Sequence, residues 1–459
     1  MALRDFIIFA VVMGLLPLSM WRPYVGVLAW SWLGYMNPHR LAWGSAHSFG
    51  FAQWVAVATL LGFIGQVATR GFPRLPKFRE TWLLGLLWTM FTLTTFTAQR
   101  QDLAWPEWQT ITKIMLMTVL TVLLVDSTKR FRILLLVIAL SIGFYGFKGG
   151  LWIAIGNTGR IWGPPGSFIA DNNGLGLALN MVLPLLFFLA RDEPNKKLRR
   201  LLQATFFLSI LSILFTYSRG AFLGISVVMA YLFFSVQVRT KIAMICLVLV
   251  GVPVVLTILP DTWFSRMGTF QSIDEDVSAM SRVDAWHTAY NLALDHPLTG
   301  GGFQIIDDSE IYPRYSPSGS DAQGVHSIYF EVIGENGFIT FAVFVALMVS
   351  SILSMRGLRR RLRGRDPDGL SNYSHALEIS VAAFAVSGAF LEKAGFDLFY
   401  HVLALVIVLR ALASEAVLEQ ARPPVPRPRK TIDRGEPLRG IGSTPVSRRS
   451  SPGSPAPPA

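Results

Sequence analysis

Four arginines and one histidine lie at the ends of hydrophobic runs or in the long polar stretch between two of them, and they run against the concentration of basic residues elsewhere in the chain. Arg160 sits between Gly159 and Ile161 in the stretch GRIWGPPG. Arg219 follows Tyr217 and Ser218 between two apolar runs with hardly any loop. Arg266 and Arg282 fall in the longest polar stretch, and His326 precedes a further apolar run. Placing a guanidinium in a bilayer costs about 2.5–3.5 kcal/mol at mid-depth on translocon scales, so an arginine in so short a turn either snorkels to headgroups or holds something negative. Its paired N–H donors match two phosphate oxygens, and it stays charged at any working pH. Several together suit a pyrophosphate. Lys148, in the preceding run, either joins them or snorkels.

His326 stands where unpaired backbone N–H groups and the positive end of a helix dipole gather. That setting disfavours imidazolium and leaves a neutral ring able to accept a proton near pH 7. A lone histidine is more often structural, but arginines on the same side favour chemistry. Glu331 and Glu335 lie one turn apart just beyond it, next to Tyr329. Carboxylates at that depth face a cavity or a basic partner, so they either pair with an arginine or take part directly. Asp307, Asp308 and Glu310 resemble a cation cluster only weakly, and a solvated acidic surface explains them.

These residues must be positioned by hydrophobic helices. Of 459 residues 52% are hydrophobic and 15% charged, a balance that excludes an ordinary soluble domain. The net charge of +12 is concentrated: residues 422–459 hold eight Arg/Lys against two acids, and 356–365 hold six arginines. Basic clusters flanking apolar spans mark cytoplasmic loops, and this reading displaces nucleic acid as a partner. The single cysteine, Cys246, lies in an apolar run and excludes disulfide or Cys-based metal chemistry.

Eleven runs reach spanning length: 51–69, 81–98, 109–125, 131–155, 171–190, 201–217, 219–236, 241–259, 327–354, 375–392 and 396–413. Residues 6–36, interrupted by Pro17, Arg22 and Pro23, add one kinked span or a hairpin of short ones, and remain as an uncleaved anchor. The expected fold is an all-α polytopic membrane protein of about 12 transmembrane helices. Its parts are helices with short loops over 1–258, a large loop over 259–326, further spans over 327–414 and a disordered basic tail over 415–459. Lys/Arg clusters at every second connection place those connections and the tail in the cytoplasm. The alternate connections, 37–50, 99–108, 156–170, 259–326 and the turn around Glu392 and Lys393, then face outward. The large loop carries ten carboxylates yet keeps Arg266, Arg282 and Arg314. Within it Ser278 to Leu294 reads as a helix, with Ser281 and Asp284 in a capping-box relation and Val283, Trp286, Tyr290 and Leu294 on one face. That aromatic face suits a membrane interface.

Ser218-Arg219-Gly220-Ala221, Ser281-Arg282 followed by Trp286, the turn Pro297-x-x-Gly300-x-Gly302, and His326-Ser327-x-Tyr329 with Glu335-x-Gly337 occur in this order. In that order they resemble the O-antigen ligase and O-antigen polymerase superfamily over about Leu201 to Phe344. Trp21-Arg22-Pro23 and Tyr35-Met36-Asn37-Pro38-His39-Arg40 are similar to a subgroup of O-glycosylation ligases linked to exosortase systems. The resemblance implies a GT-C-like, metal-independent, inverting glycosyltransferase with no cofactor, in the bacterial inner membrane with its site facing the periplasm. It would move a glycan from undecaprenyl pyrophosphate to lipid A-core. His326 would be the general base and Arg219 and Arg282 would bind the pyrophosphate, joined by Arg160 and Arg266 and supported by Tyr329, Glu331 and Glu335.

Chemistry at an anomeric carbon is met by the same residues, since a base must take the acceptor proton while cations receive the departing diphosphate. O-antigen polymerase and protein O-glycosylation ligase use the same carrier and stay open. A polyprenyl-lipid transporter is the alternative of another class. Few charges lie deep in the spans, and a His–Arg set on a large loop argues for chemistry.

Overall fold

The computed structural model describes residues 3–258, 277–363, 366 and 369–421, and among them every regular element is a helix. Fourteen are long: α1 (Leu3–Trp21), α2 (Pro23–Met36), α3 (Phe51–Arg70), α4 (Arg79–Phe96), α5 (Gln101–Leu124), α6 (Thr128–Ala154) and α7 (Asn172–Asp192). There follow α8 (Lys196–Leu214), α9 (Arg219–Ser235), α10 (Val238–Ile258), α11 (Val277–Asp295), α12 (Ile328–Arg361), α13 (Leu370–Ser387) and α14 (Asp397–Ala421). Arg266 and the beginning of the large loop lie outside the described residues, as does the tail from Arg422. Met1–Val417 form one compact unit and Leu418–Ala459 another.

Each of the eleven apolar runs falls on a helix. Among the described residues seven helices, α1, α3, α5, α6, α7, α12 and α14, are long and apolar enough to cross a membrane, which makes the chain a multi-pass membrane protein. The expected figure of about 12 also counts α4, α8, α9, α10 and α13. At 1.5 Å per residue the 14-residue α2 spans about 21 Å, less than a hydrocarbon core, and α8 opens on Lys196, Lys197, Arg199 and Arg200.

Residues 6–36 are two helices packed on each other, not one kinked span. Pro23, whose ring presets a helical φ, opens α2. Asn37 ends it in the left-handed region, its N–H returning to Leu33 O. α1 and α3 are mostly exposed along their spans, whereas α7 is 89% buried and lies at the centre against α6, α8, α9 and α13. The 277–326 part of the large loop has its own core of Ala285, Ala289, Leu292, Ile305, Ile306, Tyr312 and Val325, and α11 packs on α12.

Side-chain and backbone contacts sort the connections into two groups. At one end Gln99 N–H donates to Gly301 O, Arg100 pairs with Asp308, Ile161 N–H donates to Phe215 O and Lys393 pairs with Asp171. At the other, Arg132 pairs with Glu193, Asn372 holds Asp192, and buried Glu80 accepts from Ser350, Ser354 and Arg410. The first group is the set of connections read from sequence as facing outward. The second holds the basic clusters.

Candidate active site

The turn between α13 and α14 draws several helix starts together. Gly388 lies against Ile328, the first residue of α12: a Cβ there would stand 2.6 Å from Ile328 Cδ1. Gly220, second in α9, is as close to Phe390 and Ser387 O, at 3.0 and 3.3 Å from its missing Cβ. Glu331 Oε2 accepts the Ala394 N–H at 2.9 Å, and Lys393 Nζ reaches Asp171 Oδ2, at the cap of α7, at 3.4 Å. The starts of α7, α9 and α12 therefore share one neighbourhood. Arg219 begins α9 and His326 immediately precedes α12.

His326 is exposed and has φ +44°, a left-handed conformation costing a residue with a side chain about 1–2 kcal/mol. Its neighbours fix it there. Val325 is fully buried, and its carbonyl accepts Trp286 Nε1 at 2.9 Å. The Trp286 ring lies 5.2 Å from Phe330 and nearly parallel to it. On the other side Ser327 is buried and its carbonyl starts α12 by accepting the Glu331 N–H. Desolvation holds the imidazole below its ordinary pKa, the Arg282 charge adds to this, and Asp171 opposes it. The Arg282 charge thus acts on His326 from a different helix, α11. Glu392 faces the ring across Gly324: a Cβ on Gly324 would meet Glu392 Oε2 at 2.8 Å and His326 Nε2 at 3.5 Å. Burial first, and Asp307 second, push the Glu392 carboxyl up to about 7.

Arg219 is half-buried at the first position of α9, where Ser218 Oγ caps the helix by accepting the Ala221 N–H at 3.2 Å. The strained Tyr217, φ +56°, turns the chain from α8 into this cap. Arg160 is held on the faces of Trp162 and Tyr217, at 5.7 and 5.6 Å, and lines a cleft to which His326, Arg219 and Arg282 do not contribute.

The carboxylates beyond His326 serve as struts. Glu335 Oε1 accepts the Gln304 N–H at 2.7 Å, as Glu331 accepts that of Ala394, and neither forms an ion pair with an arginine among the described residues. Tyr329 donates to Ala385 O at 2.7 Å, tying α12 to α13. Together they fix the two loops that border His326. Asp308 is likewise occupied by Arg100 at 2.5 Å and by the N–H groups of Glu310 and Ile311.

One reading of α11 needs correction. The helix begins at Val277, so Ser281 lies inside it and does not cap it. Asp284 instead gathers the 316–320 segment by accepting from the hydroxyls of Ser316 and Ser320 and the N–H of Ser318. Burial would raise its carboxyl, but these hydrogen bonds outweigh burial and hold it below the usual range. The aromatic face packs inward for its first half, where Trp286 meets Phe330 and Tyr290 meets Phe338, although Tyr290 and Leu294 remain partly exposed.

Sequence reasoning passed over Asp171, Glu392 and Lys393 as site residues. The signal was present: Glu392, Lys393 and Asp397 crowd a short turn between two apolar runs, and such a density of charge at a span's end needs partners.

Residues 204–345 match the family model described as O-antigen ligase, and residues 3–193 match that of a family of unknown function. No curated protein matches the chain. The O-antigen ligase match covers Arg219, Arg282, His326 and both glutamate struts. Over residues 204–345 the chain is similar to the O-antigen ligase family.

Proposed function

We propose that this protein is an O-antigen ligase of the bacterial inner membrane. It transfers a glycan from undecaprenyl pyrophosphate to a sugar hydroxyl of lipid A-core at the periplasmic face. This reading is supported by the charge of Arg282 acting on His326 from a different helix, and by the α13–α14 turn, which lies against the starts of both α9 and α12.

In the transfer, the acceptor oxygen attacks the anomeric carbon and the new C–O bond forms as the bond to the pyrophosphate oxygen breaks, with inversion. His326 takes the hydroxyl proton. A neutral imidazole is needed for this, and partial desolvation of the ring together with the Arg282 charge favours it. Arg219 and Arg282 receive the charge that develops on the departing diphosphate, where preorganised donors act most strongly. The N–H groups at the start of α9 add to this field. The apolar faces of the spans accommodate the polyprenyl chain. Glu331, Glu335 and Tyr329 hold the bordering loops, and the reaction needs no cofactor.

The test is reconstitution of purified protein with lipid-linked glycan and lipid A-core in the presence of EDTA. Glycan-capped core with release of undecaprenyl pyrophosphate supports the ligase. Elongated glycan on the carrier would make it a polymerase, and transfer to a protein hydroxyl would make it an O-glycosylation ligase. His326→Ala is expected to abolish transfer with donor binding retained, and Arg219→Ala to weaken donor binding. Full activity in His326→Ala removes the base assignment.

A further inference from the structure

Apart from the His326 neighbourhood, a cleft of about 460 Å³ opens at the same end of the bundle. α6 supplies Lys148 and Trp152, and the following loop supplies Arg160 and Trp162. Among the described residues no carboxylate lines it, and neither cation makes an ion pair. By contrast Arg100, Arg132, Arg356 and Arg410, elsewhere in the bundle, pair with Asp308, Glu193, Glu378 and Glu80 respectively. Arg160 lies over two ring faces, which position a guanidinium while leaving its N–H edge able to donate. Lys148 is exposed and lies six residues before the end of α6, about 9 Å below it at 1.5 Å per residue.

The rim has the opposite character. Leu151, Trp152, Ile155 and Trp162 are 47, 40, 70 and 55% exposed. Two cations set beside an apolar wall, at the depth where a span meets its polar loop, match an anion that carries hydrocarbon. We propose that this cleft binds the phosphate of an anionic membrane lipid between Lys148 and Arg160, with its chains along Leu151, Trp152 and Ile155. The site is separate from the reaction centre but adjoins it. Tyr217, under Arg160, belongs to the turn that leads into Arg219, and its hydroxyl donates to Thr158 O at 2.9 Å.

The probe is phosphatidylglycerol, in nanodiscs that also contain a neutral phospholipid, with lipids retained after extraction counted by native mass spectrometry. The unaltered protein is expected to retain phosphatidylglycerol about five- to tenfold more than Lys148→Met or Arg160→Gln, the loss that follows from one charge-assisted contact. Lys148→Arg should restore retention, and His326→Ala should leave it unchanged whether or not the ligase reading holds. A photoreactive phosphatidylglycerol on the unaltered protein should label the 148–165 peptide, a result independent of any variant's folding. Displacement by lipid-linked pyrophosphate or by lipid A identifies either as the better occupant, and displacement by neither assigns the cleft to bulk phospholipid. Equal retention in both variants, or no labelling of that peptide, overturns the proposal.

Discussion

Adding one methyl group at Gly300 is expected to release the loop that leads to His326. Gly300 has φ +64°, and a Cβ there would stand 2.4 Å from the Glu335 carbonyl carbon and 2.5 Å from Asn336 N, both backbone atoms of α12 that cannot step aside. The next residues are hydrogen-bonded to the same helix: Gly301 N–H to Gly334 O at 2.9 Å, Gly302 N–H to Glu335 O at 2.8 Å. From the other side Gly337, φ +79°, breaks α12 where its Cβ would meet Pro297 O and Leu298 O, each at 2.9 Å, and Phe338 N–H donates to Pro297 O. The glycines of the two motifs are thus a single lock between loop and helix.

A left-handed alanine costs about 1–2 kcal/mol, and the methyl must also push apart the two backbone hydrogen bonds, worth about 1 kcal/mol each. The sum, about 3–4 kcal/mol, corresponds to roughly a hundred- to several-hundredfold at 1.4 kcal/mol per decade. Hydrogen exchange of the 296–305 peptide in Gly300→Ala should accelerate by that factor, and transfer should fall with it. Gly319→Ala is the control: its φ is +63°, with nothing within 4 Å of the added Cβ. Only the conformational cost applies there, about tenfold in local exchange. If the two variants accelerate exchange equally, the contact between the glycine turn and α12 does not hold the loop.

Three further outcomes follow from charge placement. Arg282→Gln removes a cation that disfavours imidazolium, so the His326 pKa should rise and the acid limb of the kcat/KM pH profile should move to higher pH; an unmoved limb would separate Arg282 from His326. Glu392 has its folded pKa raised to about 7 from an ordinary 4.5, so between these values the folded state binds more protons and stability falls as pH rises. Glu392→Gln should flatten that decline in thermal unfolding, and an unchanged slope would mean the carboxyl ionises freely. Glu80→Ala, at the opposite end, leaves half-buried Arg410, which lies over the Phe78 ring, without its carboxylate. It should cost about 3 kcal/mol of stability with donor KM unaltered, and an unchanged melting temperature would show that the network is dispensable.

The helices were legible in the sequence because a bilayer demands long apolar runs, a requirement written in composition and independent of neighbours. Basic clusters at alternate connections likewise anticipated which loops come together. The break at Arg22 and Pro23 admitted two readings, and the packing of α1 on α2 chose between them. Local signals misled where tertiary contacts outweighed them. Ser281 and Asp284 have capping-box spacing, but α11 continues past them and Asp284 finds its partners in Ser316, Ser318 and Ser320.

Residue types alone marked His326, Arg219 and Arg282, since isolated charges at the ends of apolar runs stand out against their surroundings. Which of them meet was decided by the fold. Asp171, Arg282 and the adjacent Glu392 and Lys393 lie in three distant parts of the chain and reach His326 or its bordering turn only because α7, α11 and the α13–α14 turn converge there. Arg160, alike in sequence, is drawn onto Trp162 and Tyr217 and into a separate cleft. Spacing along a chain records the periodicity of its helices, whereas partnership between charges depends on which helix ends are brought within a few ångströms, and that is fixed only by packing.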